Sequence, residues 1–259
     1  MRYKNNIFQA KDFNFIEKYI NKADEQTLVI FDIDDVLITS RDEILKPYNN
    51  EFAERLEQNL ESRFSEEDCL RLWSTIWLQR RNDLVEPQII PLINKLILRK
   101  IKILSLTNSW TGSFGDIKSI EDWRIEELSR FGYNFGVCWE EQKIDIELKP
   151  KYPNRFPLFK QGILFTCGIS KGQTLKYFMK KISWIPKKII FIDDILENIY
   201  SVENYATEIG IDFLGFQYTS VKDQQIWPLN RIRAQIQFKT LENEKIWLSD
   251  AEVDKRYTT

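Results

Sequence analysis

The stretch Leu28-Val29-Ile30-Phe31-Asp32-Ile33-Asp34-Asp35-Val36-Leu37-Ile38 constrains this chain more than any other. Its first four residues are apolar and rich in β-branched and aromatic types. They read as a strand buried on both faces, at the centre of a parallel sheet. Three carboxylates follow within four positions. A buried strand avoids charge, because an unpaired buried carboxylate is costly, so acids at its carboxyl end need a reason. In open α/β sheets, ligands bind at those ends, where the strand order reverses. Asp32 and Asp34 are two apart and point the same way on an extended backbone, unless a tight turn after Asp32 re-aims the second. Taken alone, such a cluster also fits a helix cap or a solvated turn.

The 259 residues are 43% hydrophobic and 14% aromatic, enough for one large domain or a core with an inserted subdomain. Basic residues number 37 against 39 acidic ones, and a net charge of −2 gives no electrostatic footprint for nucleic acid or an anionic membrane. Histidine is absent. That removes His-based triads, metal sites and proton shuttles, and leaves acid–base work to Asp, Glu, Lys, Tyr or Cys. Cys69, Cys138 and Cys167 form no C-x-x-C pair and read as free thiols in a reducing compartment. Met1-Arg2-Tyr3-Lys4-Asn5-Asn6 lacks the apolar run of a signal peptide. The most apolar stretch, Ile89 to Leu104, is interrupted by Pro91, Asn94, Lys95, Arg99, Lys100 and Lys102, so no membrane span is expected. The expectation is a cytoplasmic protein with no nucleic-acid or membrane partner.

Strand and helix signals alternate along the chain. A short amphipathic helix, Phe13 to Asn21, precedes the first strand. From Pro47 to Arg81 the pattern is helical, with Ser65-Glu66-Glu67-Asp68 as a capping-box-like start. Pro87 opens a further helix, Gln88 to Arg99. Strands are expected at Lys102–Ser109, Phe135–Trp139, Gly162–Thr166, Lys188–Asp194 and Ile211–Phe216. Helices are expected at Ser119–Phe131, Ser170–Ile182 and Ile195–Thr207. Asp145 to Pro157 reads as irregular, and Pro228 to Thr259 as a helix with a short docking segment at Trp247. The alternation predicts an α/β fold, a doubly wound parallel sheet with a small helical cap insertion. The core is expected over 1–38 and 101–259, and the cap with its return helix over 39–100.

Asp32 and Asp34, Thr107, Lys171, and Asp193 and Asp194 fall at strand ends or a helix start. In this order they resemble the four motifs of the haloacid-dehalogenase (HAD) superfamily of aspartate-nucleophile phosphohydrolases. D-x-D-x-V matches the first motif and the strand-end Thr107 the second. The helix-opening Lys171 matches the third, and Asp193-Asp194 the fourth. The resemblance spans about residues 28–216. Gly162-Ile163-Leu164-Phe165, Ser170-Lys171-Gly172, Phe191-Ile192-Asp193-Asp194 and Asn198 also look like an uncharacterised bacterial branch of that superfamily.

The resemblance implies Mg²⁺-dependent hydrolysis of a phosphate monoester on a phosphorylated small molecule. Asp32 would attack phosphorus to give an aspartyl-phosphate, splitting one hard step into two. Asp34 would protonate the leaving oxygen and then activate water. Clustered acids repel, by about 1 kcal/mol per close pair in water and about 4 at an intermediate dielectric. A Mg²⁺ ion held by carboxylates, a backbone carbonyl and waters answers that repulsion. Asp32 and Asp193 are the leading ligands, with Asp34 and Asp194 beside them. Thr107 and Asn108 would meet phosphate oxygens, and Lys171 would neutralise the phosphoryl charge.

Each residue also has a plainer reading. Asp35 is a turn acid, Thr107 an ordinary strand end and Asn108 a turn former. Lys171 fits a solvated lysine, Asp194 a helix cap, Asn198 a structural hydrogen bond, and Trp73 and Trp77 core. Lys149, Lys151, Arg155 and Lys160 read as a solvated loop rather than a substrate site. Three rival functions share these residues: a phospho-acceptor receiver domain, a non-catalytic binding or effector protein on the same scaffold, and a phosphotransferase or phosphomutase.

Overall fold

A computed structural model of the chain describes residues 2–4, 6–224 and 228–257. The readings of the N-terminus and the tail therefore run past the described residues at Met1, Asn5, Thr258 and Thr259. The chain begins with β1 (Arg2–Lys4), β2 (Ile7–Ala10), α1 (Phe13–Ile20) and β3 (Thr27–Phe31). Then come β4 (Ile38–Ser40), α2 (Asn50–Glu61), α3 (Glu66–Gln79), β5 (Asn82–Leu84) and α4 (Ile89–Leu98). The central part adds β6 (Lys102–Thr107), α5 (Ile120–Arg130), β7 (Lys143–Asp145), β8 (Leu158–Lys160) and β9 (Ile163–Phe165). It continues with α6 (Lys171–Lys181), β10 (Lys188–Asp193), α7 (Leu196–Glu208) and β11 (Asp212–Tyr218). Helices α8 (Arg231–Glu244) and α9 (Asp250–Tyr257) end it.

A nine-stranded sheet runs β1-β2-β11-β10-β3-β6-β9-β8-β7. From β2 to β9 every neighbouring pair is parallel. β1, β8 and β7 join antiparallel at the two edges. The fold is α/β, with a mostly parallel central sheet.

Parallel strands need cover on both faces, which is why they read as unbroken apolar runs. Leu28 and Ile30 of β3 share one core with Leu175 and Phe178 of α6 and with Ile199 and Val202 of α7. Phe31 turns to the other face and stacks on Phe13 of α1, with ring centroids 6.3 Å apart.

After β3 the chain adds β6 and β9 on one side, then returns to add β10 and β11 on the other. The strand order therefore reverses between β3 and β10. Beyond the carboxyl ends of two such strands lies the usual ligand position of an open α/β sheet. Phe31 lies opposite Ile192, so Asp32 and Asp193 leave the sheet at the same level.

The chain divides into two compact units, residues 1–37, 85–112 and 120–220 in one, and 38–84, 113–119 and 221–259 in the other. The first holds the sheet. The second has its own core, in which Leu60, Leu72 and Ile76 pack with Phe238, Leu241 and Trp247. The helix α4 thus counts with the sheet, and residues 221–259 with the helical unit, where the sequence placed the tail with the core.

The sequence reading needs one correction here. Phe135 to Trp139 is not a strand: Gly136–Cys138 forms one 3₁₀ turn. Phe135 and Trp139 are buried without a ladder while Val137 between them is exposed; Phe135 packs against Tyr133 at 6.0 Å, and the Trp139 indole N–H donates to the Ile103 carbonyl at 2.8 Å. Residues 146–157 carry no helix or strand, as expected, and run between two short antiparallel strands, β7 and β8. Strands β1 and β2, for which the sequence offered no strand signal, form one edge of the sheet.

Candidate functional site

Asp32 follows β3 directly, and its backbone N–H still donates to the Ile192 carbonyl at 2.9 Å. Its side chain is therefore anchored at the end of the central strand, and the residue is only 7% exposed. Asp193 closes β10 and is fully buried, with Asp194 beside it and also buried. One carboxylate oxygen from each of Asp32, Asp193 and Asp194 lies within 4.8 Å of the others.

Lys171 is the first residue of α6. Ser170 caps that helix by accepting the Gln173 N–H at 3.3 Å, as a serine before a helix does. Gly172 allows α6 to approach α7 closely. A Cβ there would stand 1.9 Å from the Ser201 carbonyl oxygen, so only glycine fits. This close approach carries Lys171 inward. Its Nζ lies 2.7 Å from Asp32 Oδ1 and 2.6 Å from Asp193 Oδ2, with 1% of the side chain exposed.

Asp193 is also held from its other oxygen, Oδ1, which accepts the Ile195 N–H at 2.8 Å and the Asn198 side-chain amide at 3.0 Å. Asp193 thus braces the turn into α7, whose N-cap Ile195 receives no side-chain cap, and Asn198 makes the structural hydrogen bond expected of it. Asp194 contributes its carbonyl to Gln217 Nε2 at 3.3 Å.

Burial dominates the electrostatics. It pushes the Asp32 carboxyl up to about 7; Lys171 opposes this and the neighbouring Asp193 adds to it. The same burial raises Asp193 above the usual carboxylate range, again against Lys171. Burial works against the Lys171 ammonium, but Asp193 and Asp32 outweigh it and its pKa rises.

Asp34 is the residue the structure moves. The chain turns after Asp32: the Leu37 N–H reaches the Ile33 carbonyl at 2.9 Å and Asp35 takes a φ of 61°, which aspartate tolerates better than most residues. The Asp34 carboxylate meets Arg124 instead of joining the acidic triad. Arg124 Nη1 donates to Oδ1 at 3.2 Å and Nη2 to Oδ2 at 3.1 Å. Among the described residues the metal-capable group is Asp32, Asp193 and Asp194. Asp34, expected beside these ligands, has its carboxylate on Arg124 and outside this group.

Thr107 ends β6 and is 2% exposed, at the carboxyl end of the strand next to β3. Asn108 follows it, but its Oδ1 accepts from Thr166 Oγ1 at 2.7 Å and from the Gly168 N–H at 3.0 Å. That oxygen ties the loop after β6 to the loop after β9, so the carbonyl end of Asn108 braces the loops and does not face a phosphate. Of the basic loop, Lys160 pairs with Asp122 at 2.5 Å. Arg155 donates to the Thr111 carbonyl at 2.8 Å and lies 4.5 Å over the Trp110 ring. Both are structural fastenings.

Arg124 and Glu127 escaped the sequence reading. A charged pair on a helix three residues apart reads as solvated surface, yet only 3% of the Arg124 side chain is exposed. Its position in α5 among Ile120 and Leu128, both buried, is the one available signal.

The sequence matches the family described as "Protein of unknown function (DUF2608)" over residues 9–254. An uncharacterised protein of Rickettsia prowazekii is 26% identical over 235 residues, 91% of this chain and 84% of the relative. An uncharacterised protein of Rickettsia felis is 26% identical over 54% of this chain and 49% of its own length. A protein of Chlamydia trachomatis with the name "Putative outer membrane protein" is 25% identical over 83% of this chain and 78% of its own length. No solved structure matches. Among the described residues no helix is long and apolar enough to cross a membrane.

Proposed function

This chain belongs to the DUF2608 family, and from its site geometry we propose that it is a phosphohydrolase of the HAD type, acting on phosphate monoesters through an aspartyl-phosphate on Asp32. One observation carries the reading. Three buried carboxylates and one buried lysine converge where the sheet order reverses. They come from the end of β3, the start of α6 and the end of β10, in the order of the HAD motifs. A structural cluster has no need to bury so many like charges, since apolar residues of similar volume are often more stabilising.

The donor set fits the proposed cation. Asp32, Asp193 and Asp194 offer only oxygen, which suits a hard divalent ion such as Mg²⁺. Three carboxylates and one ammonium leave two negative charges, the charge a divalent ion balances. When bound, the ion withdraws charge from the phosphoryl oxygens.

The remaining chemistry belongs to the protein. The Asp32 carboxylate attacks phosphorus, the bond to the leaving oxygen breaks, and Asp34 gives that oxygen its proton. Water then attacks phosphorus, Asp34 takes a proton from it, and phosphate leaves with Asp32 restored. Lys171 offsets charge on Asp32 and on the phosphoryl group, and the Thr107 hydroxyl donates to a phosphate oxygen. The family resemblance of these residues supports a small phosphorylated metabolite as substrate. The three free cysteines support a reducing, cytoplasmic setting.

Fluoroberyllate tests this directly. With Mg²⁺, it should form a stable adduct on Asp32, visible as a distinct ¹⁹F resonance, and none on Asp32→Asn. No adduct on the native protein, in the presence of a bound cation, would set the reading aside.

A further inference from the structure

We infer that Arg124 is the positioning residue for the proton-transfer carboxylate, holding Asp34 apart from the cation site and aimed for chemistry. This rests on the proposed function and deepens it. Asp34 lies between the named strands, within the turn that the Leu37 N–H closes on the Ile33 carbonyl, and half its side chain is exposed. An aspartate so placed has free rotamers. The guanidinium removes that freedom: its two ends meet the two oxygens of Asp34, and a forked contact fixes the plane of a carboxylate as well as its distance.

The fork is itself fixed. Arg124 is buried on α5, and its Nη1 also donates to Glu127 Oε2 at 2.6 Å. Glu127, one turn along the same helix and nearly buried, anchors the guanidinium from behind. Glu127 alone would compensate the arginine charge within the helix. The bond to Asp34 reaches across to a different element, whose one chemical distinction is its place two residues after Asp32. This arrangement gives the acids different duties. Asp32, Asp193 and Asp194 converge on one point, while Arg124 holds the Asp34 carboxylate outside that group.

Proton transfer needs reach of about 2.6–3.2 Å, and a misplacement near 1 Å costs on the order of 10²-fold. Loss of the fork should therefore appear only where a proton is needed. The value of kcat/KM reports steps up to departure of the leaving group. An acidic phenol leaves without a proton; an alcohol does not.

The test compares kcat/KM for p-nitrophenyl phosphate and for simple alkyl phosphates, with Mg²⁺, in the native protein, Arg124→Lys, and the double variant Arg124→Gln with Glu127→Gln. The Lys variant keeps charge and loses the fork. The double variant avoids a stranded buried Glu127, and melting curves confirm that each variant is folded. The expected result is a loss of about 10²-fold on alkyl esters and only a few-fold on the aryl ester, in both variants. A uniform loss across the series, or full rescue by lysine, overturns the role of Arg124 and leaves the phosphohydrolase reading standing. Absence of Asp32-dependent turnover in the native protein overturns both.

Discussion

Lys171 and Asp32 form a buried ion pair, Nζ to Oδ1 at 2.7 Å, and the same ammonium lies 2.6 Å from Asp193. One cation thus joins the two strand ends between which the sheet order reverses. Removal of the lysine leaves both carboxylates without their cation, and an unpaired buried charge costs about 3–5 kcal/mol. Lys171→Met should lower the metal-free melting temperature at pH 8 by roughly 6–20 °C, since each kcal/mol moves a domain of this size by about 2–4 °C. An unchanged melting curve would show that the pair contributes nothing.

Protons and a cation compete for Asp32. Its carboxyl is pushed from an ordinary 3.8 up to about 7 by burial, so the folded chain binds more protons than the unfolded one between those values. Stability of the metal-free protein therefore falls as pH rises from about 4 to 7. Metal binding must displace that proton below 7 and need not above it. Stabilisation by millimolar Mg²⁺ should be small at pH 5.5 and large at pH 8, measured as a shift in melting temperature at each pH. Equal shifts at both would contradict the linkage.

Gly172 is where two helices meet. A methyl group there would collide with the Ser201 carbonyl oxygen, and the Gly172 N–H donates to Ser201 Oγ at 3.0 Å. Gly172→Ala forces α6 away from α7, and overpacking of this kind costs about 1–3 kcal/mol, occasionally more. Denaturant melts should show a lowered midpoint, and turnover should fall because Lys171 moves with the helix. A variant as stable as the native protein would mean that the helices separate at no cost.

Asp32→Asn removes one of three buried acids. Amide for carboxylate relieves charge repulsion with Asp193, so the metal-free variant should melt no lower than the native protein despite the loss of its partner to Lys171. The stabilisation by Mg²⁺ should largely vanish. Calorimetry with Mg²⁺ alone checks this, and undiminished binding would place the cation elsewhere.

The centre of the fold was legible because burial on both faces leaves its mark as apolar runs. Val29, Ile30 and Phe31, or Ile189 to Ile192, have no solvated side to encode. The edges were not. Strands β7 and β8 have three residues each, too short for alternation to register, and Lys143 and Asp145 give β7 the composition of a loop. Phe135 to Trp139 misled in the opposite direction, because apolar residues gain by burial whatever the backbone does. In the site, Asp32 and Asp193 stood out as acids ending apolar strands, and Lys171 only through the resemblance to the HAD motifs. The turn at Asp35 was foreseen as an alternative, but the arginine opposite Asp34 was not, since it depends on which helix lies against the end of β3. Charge on a helix reads as surface until tertiary packing buries it.

The most direct measurement is hydrolysis of an aryl phosphate with and without Mg²⁺, by the native protein and by Asp32→Asn. The account predicts metal-dependent turnover in the native protein, lost by at least about 10³-fold in the variant, as removal of a covalent nucleophile requires. Turnover that survives in Asp32→Asn, or that is indifferent to metal, would contradict it.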